Sequence, residues 1–456
     1  MRSLALASLL LCLGLPATAA STNAVPLPSG PMTLDQALEY ALSHNVTLRK
    51  GRQDLEEAQG LSIQQRSARL PRLGMTGNYQ QLDEGRIERV QFSAAQPAMP
   101  FMNNQSWNAN LVVTQPIYAG GKYNSLARSS RLTREASLAA YQALVANTLL
   151  EVRVAYSDVL LSVEQIAVQE ASKKLLEREL ETARRSLEAG SVPKFNVLRA
   201  EVELANALPP LIRARNQERI ARNTLALLLG CDIPTDSGVD IPLRTADSLR
   251  AEPFEISVGA ALNAAWIRRP EIKAAQVASQ LRHEEVLQTR ADLLPSLSGT
   301  AGYGVQNRNF IRDLDRTLDG WTVGVQANWL LFDFGGTQAK VSMARAREER
   351  ARLEIEDVRR RIELEVRTAF SSFLESKEVL VSQTRVIEQA EEAVRLVTAR
   401  ADAGSSTQLE VLSAQTALKL SRTQYSQALR DYTVAKAKLE RAMGEGVRLV
   451  MESSSK

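Results

Sequence analysis

The sequence predicts a mixed α and β membrane protein in which a few short strands feed helices far longer than a globular domain uses. Three observations carry that prediction. Between Trp321 and Leu331 apolar residues alternate with small or polar ones; from Thr337 to about Ala403 the chain is charged, alanine-rich and free of proline; and the whole pattern is written twice. In the first stretch Trp321, Val323, Val325, Ala327, Trp329 and Leu331 share one face and Thr322, Gly324, Gln326 and Asn328 the other, the period of two of a half-buried strand. About eleven residues, with Trp at both ends of the apolar face, suit one tilted crossing of a bilayer in a barrel with a watery lumen, although soluble sandwiches alternate as well.

Composition agrees with extended helices. Of 456 residues only 5% are aromatic, and Ala, Leu, Glu, Arg and Gln dominate. A formal net charge of +4 argues against nucleic-acid binding. Residues 1–20 read as an export signal, with Arg2, an apolar run from Leu4 to Leu15 and cleavage near Ala19 or Ala20. Cys12 sits inside that run without the small residue before it that lipid attachment wants, which leaves Cys231 as the lone mature cysteine, read as a small buried apolar residue. No later stretch approaches about 18 uninterrupted apolar residues, so no transmembrane helix is expected; an exported chain of this kind is soluble outside the cytoplasm or a β-barrel.

The mature chain divides into a linker (21–31), a first repeat (32–230), an irregular connector (231–255) with Pro234, Pro242 and Pro253, a second repeat (256–444) and a tail (445–456). Each repeat opens on a capped helix, with Thr33 and Ser257 as N-caps, expected to run to about Ala68 and about Ala291. A strand signal follows, Leu70 to Tyr79 and Leu294 to Tyr303, whose prolines Pro71 and Pro295 stand 224 apart at the strand start. Long polar loops, Gln81 to Ser106 and Gln306 to Asp319, separate each strand from its return partner. The first return strand, Trp107 to Gln115, carries Trp107, Ala109, Leu111 and Val113 on one face and ends near Gly120-Gly121, as its twin ends at Gly335-Gly336.

Long helices come next, Lys122 to about Ala189 and Thr337 to about Ala403, each about 67 residues and therefore about 100 Å. In the first, Val145, Leu149, Val152, Tyr156, Val159, Val163 and Ile166 make a coiled-coil seam. The charges on other faces pair at i,i+4, Glu356 with Arg360 and Asp357 with Arg361, so the run Arg359-Arg360-Arg361 reads as a solvated helix face. Both rods stop at a glycine, Gly190 and Gly404, and helices from about Pro193 to Leu229 and Thr407 to Met443 return antiparallel to end at Gly230 and Gly444.

This doubled order of Thr-Leu-x-x-Ala-Leu opening, Leu-Pro-x-Leu strand, Gly-Gly junction and glycine-tipped helical hairpin resembles the outer membrane efflux protein family of TolC-like channels, over almost all of Met32 to Gly444. The resemblance implies a homotrimer in which each chain gives four strands to one 12-stranded outer membrane β-barrel, continued by a long periplasmic α-helical coiled-coil barrel. Physics supports trimerisation separately, because four strands cannot close a barrel and would leave bare edges in lipid. The implied function is a passive exit duct for efflux or type I secretion, with a periplasmic adaptor and an inner-membrane pump as partners and no cofactor.

By position, the family's adaptor-docking tips fall on Gly190, Ser191, Val192, Pro193, Gly404, Ser405, Ser406 and Thr407, and its pore constriction on Glu410 and Ser413, with Asn196 and Arg199 in repeat one. Gly120, Gly121, Gly335 and Gly336 take the place of strand-to-helix hinges. The sequence departs from the family's pattern of two constricting aspartates, since only Glu410 is acidic; three such carboxylates on an axis attract cations and repel one another, while the plainer reading of Glu410 is a helix-capping charge. No enzyme is expected, because His44 and His283 are the only histidines, lack metal-ligand spacing and are read as surface or packing residues. A reading from another class is an exported trimeric coiled-coil scaffold or adhesin, which the helices fit and the four alternating strand segments do not.

Overall fold

The computed structural model describes residues 30–91, 93, 97, 99–232, 241–307, 314–403 and 405–445. The expected leader, Cys12, Gly404 and nearly all of the tail lie outside the described residues, as do parts of the connector and of both outer loops. In chain order the elements are β1 (Pro31–Met32), α1 (Leu34–His44), α2 (Val46–Ser67), β2 (Arg72–Gln81), β3 (Arg89–Val90), β4 (Met99–Pro100), β5 (Gln105–Ala119), α3 (Lys122–Glu188), α4 (Lys194–Leu229), β6 (Arg244–Thr245), α5 (Val258–Arg268), α6 (Pro270–Ala291), β7 (Ser296–Asn307), β8 (Thr317–Asn328), α7 (Gly336–Asp402) and α8 (Gln408–Ala442).

Strands β2, β5, β7 and β8 form one antiparallel sheet in that order. Its register matches like with like: Leu73, Val113, Ala301 and Val323 make one cross-strand row, and Met75, Leu111, Tyr303 and Trp321 another. The row between them holds Gly74, Val112, Gly302 and Thr322, and the row beyond holds Thr76, Asn110, Gly304 and Gly320. Because side chains alternate across a strand, these rows set the larger apolar side chains on one side of the sheet and, Val112 apart, small or polar ones on the other. The apolar side is uncovered, with Met75 at 75% and Trp321 at 77% exposure.

Strand limits differ from expectation. β8 runs Thr317–Asn328, so Trp329 and Leu331 fall below it. The reason is the partner strand: Ser296 pairs with Asn328 and is preceded by Pro295, which has no N–H to extend the ladder. Within the first outer loop, expected to be irregular, β3 and β4 pair antiparallel.

Each repeat also opens with two helices where one was expected. Asn45 ends α1 and caps α2, its Oδ1 accepting from Leu48 N at 3.1 Å while Nδ2 donates to Leu228 O at 2.5 Å. In repeat two the break falls at Arg269, because Pro270 lacks the donor a continuous helix needs and starts α6 instead. Arg269 is 5% exposed; it reaches Ala442 O at 3.3 Å, Glu271 at 2.9 and 3.0 Å and Glu365 at 2.9 Å, and Arg441 also binds Glu365.

The two repeats have separate cores. Leu38, Leu48, Val145, Leu149, Val152, Tyr156, Leu225 and Leu229 pack in the first, and Leu262, Ile272, Ile362, Val366, Phe373, Leu439 and Met443 in the second. Leu180, Ala183, Val197 and Ala200 form a small satellite towards the first hairpin tip. The expected α3 seam is buried from Val145 to Val159, but Val163 is 43% exposed and Ile166 only half-buried. A straight helix drifts by about 20° per heptad against a strict seven-residue pattern, so the seam walks off the core. Glu356–Arg360 at 3.7 Å and Asp357–Arg361 at 3.0 Å pair on the exposed face.

The connector is not wholly irregular. β6 pairs in parallel with β1, Asp247 accepts from Leu34 N and from the Tyr156 hydroxyl, both at 2.8 Å, and Glu252 holds Lys436 at 2.7 Å and Tyr432 through its carbonyl at 2.8 Å. It therefore straps α1 and α3 to α8. Cys231 is buried in the first core, where burial pushes its thiol pKa up.

Candidate functional site

Three regions could work on a cargo or a partner: the sheet with its lower rim, the strand-to-helix junctions and the hairpin tips. At the rim, Ile117 and Tyr118 near the end of β5 and Trp329, Leu331, Phe332 and Phe334 just after β8 are exposed, and Phe332 and Phe334 meet edge to face at 4.6 Å. An aromatic and aliphatic belt at the end of an apolar face marks the edge of a hydrocarbon layer.

At the junctions, Gly121 (φ +86°) caps α3 and Gly335 (φ +88°) caps α7, each preceded by a second left-handed residue, Gly120 (φ +58°) and Phe334 (φ +53°). Geometry thus matches Gly121 with Gly335, 214 apart, where matching the two Gly-Gly pairs gives 215; Gly336 is already the first residue of α7. At Gly120 a Cβ would stand 2.7 Å from Ala291 O, so crowding and φ together demand glycine. Phe334, at 92% exposure, is not crowded, and the Asp333 carboxylate organises its turn by accepting from Thr337 N at 2.5 Å, Thr337 Oγ1 at 2.6 Å and Gly335 N at 3.2 Å. The Thr337 hydroxyl and N–H hold the Asp333 carboxyl below the usual range.

At the tips, the end of α3 is closed by Gly190 N to Leu187 O and Ser191 N to Ser186 O, both 2.9 Å, the paired bonds of a Schellman cap. Ser405 N makes the matching bond to Arg400 O at 2.9 Å at the end of α7. Ser191 and Ser405 add their hydroxyls to the same carbonyls, at 2.9 and 3.1 Å. The returning helices differ. Pro193 begins α4 without a side-chain cap, whereas Thr407 and Glu410 form a capping box at α8, with Glu410 N to Thr407 Oγ1 and Thr407 N to Glu410 Oε2 both at 3.3 Å. Ser406 also donates to Glu410, and these bonds, the Ser406 hydroxyl first, hold the Glu410 carboxyl below the usual range.

Asn196 and Arg199 on α4 line a cavity of ≈ 220 Å³ with Glu179, Glu203, Leu409, Leu412 and Gln415, so both returning helices meet α3 beside the tips. Glu410 and Ser413 are exposed on α8 and are not part of that lining. His44 stacks on Tyr40 with ring centres 4.2 Å apart, and His283 Nδ1 lies 3.0 Å from Glu348. Among the described residues no group of three His, Cys, Asp or Glu side chains could hold a metal ion.

Sequence reasoning missed the Arg269 cluster, the Asp333 turn and the pair Pro209-Pro210 inside α4. Pro270 was a readable signal for the first; nothing local announced that Glu365 and Arg441 would converge on it.

The sequence profile of the outer membrane efflux protein family matches residues 37–231 and 261–445, one block in each repeat. Outer membrane protein TolC of Escherichia coli (strain K12) is 22% identical over 421 residues, covering 90% of this chain and 82% of that protein. Alkaline protease secretion protein AprF of Pseudomonas aeruginosa is 25% identical over 343 residues, 73% of this chain and 69% of that one. Among solved structures, the CmeC outer membrane channel of Campylobacter jejuni superposes with a TM-score of 0.78 at 16% identity, over 93% of this chain and 89% of that one.

Proposed function

The chain belongs to the outer membrane efflux protein family, and from that premise we infer that it is the outer membrane exit duct of a tripartite efflux or type I secretion system. It conducts passively what an inner-membrane pump and a periplasmic adaptor deliver. The observation that carries this reading is the four-stranded sheet: one face is apolar and uncovered, and its outer strands β2 and β8 each keep an edge unpaired among the described residues. Three copies close those edges on one another as a TolC-like 12-stranded barrel, which removes the unpaired backbone groups that lipid cannot satisfy. The 67-residue helices α3 and α7 continue from it into the periplasm for about 100 Å. A stalk or adhesin has no use for such a sheet.

Catalysis has no place in this reading, since a duct transmits the pump's work. Within it, the tips Gly190 to Pro193 and Gly404 to Thr407 dock the adaptor, and Glu410 and Ser413 with Asn196 and Arg199 narrow the resting pore. The Glu410 capping box is compatible with that role, because it fixes an ionised carboxylate on an exposed helix start. The junction glycines Gly120, Gly121, Gly335 and Gly336 serve as the hinges between barrel and helices.

Purified trimer in planar bilayers is expected to give discrete conductance steps; a preparation that stays trimeric and inserts but never conducts sinks the duct. For the constriction, Glu410→Cys in a Cys231→Ser background is expected to stop export under oxidation and restore it on reduction. Unchanged export with the disulfide demonstrably formed removes Glu410 from the pore.

A further inference from the structure

Where α2 hands over to β2 and β5 to α3, a surface groove of ≈ 400 Å³ is lined by Arg66, Arg69, Arg128 and Arg131 with Leu70 and Tyr123. Among the described residues no carboxylate lines it. Arg128 is already engaged, holding Glu284 at 2.6 and 2.9 Å, and Arg66 donates to the Ser130 hydroxyl at 3.2 Å. Arg69 and Arg131 are exposed and carry no ion pair among the described residues. Two free guanidinium forks beside two anchored ones, with Tyr123 in the same lining, match the oxygens of a phosphate group.

Its place in the fold narrows the source of that phosphate. Leu70 stands two residues before β2, and the exposed Leu73 and Met75 continue upward from it on the apolar side. Gln115, next after Val113 in the outward row of β5, donates its amide to Arg69 O at 3.0 Å, which sets the end of α2 against that same side. The groove thus opens at the lower margin of the lipid-facing surface, where β5 ends with the exposed Ile117 and Tyr118 shortly before Tyr123 of α3. Phospholipid headgroups lie at that depth, and basic pockets there recognise anionic ones.

We propose that this groove binds the phosphate headgroup of an anionic phospholipid of the periplasmic leaflet, one per protomer. The proposal rests on the reading of the sheet as membrane-spanning and adds a lipid site to it. Arg69 and Arg131 clamp the phosphate, Tyr123 donates to it, and Leu70 and Leu73 carry the start of the acyl chains.

The test is native mass spectrometry of the detergent-solubilised trimer with phosphatidylglycerol, phosphatidylcholine of the same chains, or inorganic phosphate, with conductance recorded on the same preparation. The wild type is expected to retain up to three phosphatidylglycerol molecules with a preference of about tenfold or more over phosphatidylcholine, the scale of two arginines at an anionic surface. The Arg69→Gln/Arg131→Gln variant is expected to lose that preference while keeping its trimer mass and conductance. Equal retention of both lipids by a conducting wild type, or a preference that survives in the variant, overturns the site and leaves the duct standing. Inorganic phosphate retained as well as the lipid, and lost in the variant, assigns the groove to a soluble anion and overturns the lipid.

Discussion

The two repeats solve one problem by two chemistries. At the break between its opening helices, each must satisfy a terminal carbonyl of its own returning helix, Leu228 in the first and Ala442 in the second. Repeat one uses a neutral amide, Asn45, which also caps α2. Repeat two, 224 positions on, uses Arg269 and surrounds it with Glu271, Glu365 and Arg441, so that α6, α7 and α8 are tied together at one point. The backbone geometry is shared and the electrostatics are not. Internal duplication therefore preserved the positions at which chain ends meet, while the side chains filling them diverged.

The largest expected effect falls on the charged version. Arg269→Ala leaves the Ala442 carbonyl without its side-chain donor and the Glu271 and Glu365 carboxylates with Arg441 as their remaining shared partner, and is expected to cost roughly 2–4 kcal/mol, the partners' partial exposure holding it below the fully buried case. Thermal unfolding of the intact trimer measures it. Gly230→Ala comes next, since a Cβ there meets His44 O at 2.3 Å at φ +77°; about 1–3 kcal/mol is expected. Gly444→Ala should cost less, because its nearest neighbour is the Arg268 Cβ at 2.8 Å, and equal losses at the two glycines would break the contrast.

Asn45→Ala removes a cap and one donor, for about 1–2 kcal/mol. Should it match Arg269→Ala, the cluster adds nothing to the break beyond the hydrogen bond.

Acid sharpens the comparison further, with the smallest effect. Burial pushes the Glu365 carboxyl up, but the hydrogen bonds and charges of Arg269 and Arg441 outweigh it and hold its pKa below the usual range. A lowered folded pKa contributes stability above the ordinary carboxylate value of about 4.3 and loses it as pH falls through the folded value. Protection of the amide at Val366, next to Glu365 in α7, should therefore fall below that pH while protection at Leu48, beside uncharged Asn45, keeps its level. A parallel fall at both sites refutes the assignment.

Much of the fold was legible in the sequence. Period-two stretches gave the four membrane strands, Thr33 and Ser257 gave helix starts, and Gly190 and Gly230 gave stops, because each is a local rule of backbone geometry. Limits set by a partner were not legible. β8 stops where β7 runs out of donors at Pro295, and the α3 seam leaves its core at Val163 because helical drift is referenced to a surface elsewhere in the chain. At the tips, the plainer reading of Glu410 as a helix-capping charge is what the structure shows; that Ser406 joins Thr407 in holding it depended on how the turn closes.

The sequence alone determined the number and kind of elements, their order, the duplication and the apolar face of each strand, since all of these follow from the spacing of residues along a few turns or pleats. Only the tertiary structure decided which faces coincide. The cross-strand register that gathers Met75, Leu111, Tyr303 and Trp321 into one row, the meeting of Arg269 with Glu365 and the convergence of Arg66, Arg69, Arg128 and Arg131 are contacts between segments far apart in the chain. Local periodicity fixes the direction of a side chain relative to its own backbone, and only packing fixes where that backbone stands.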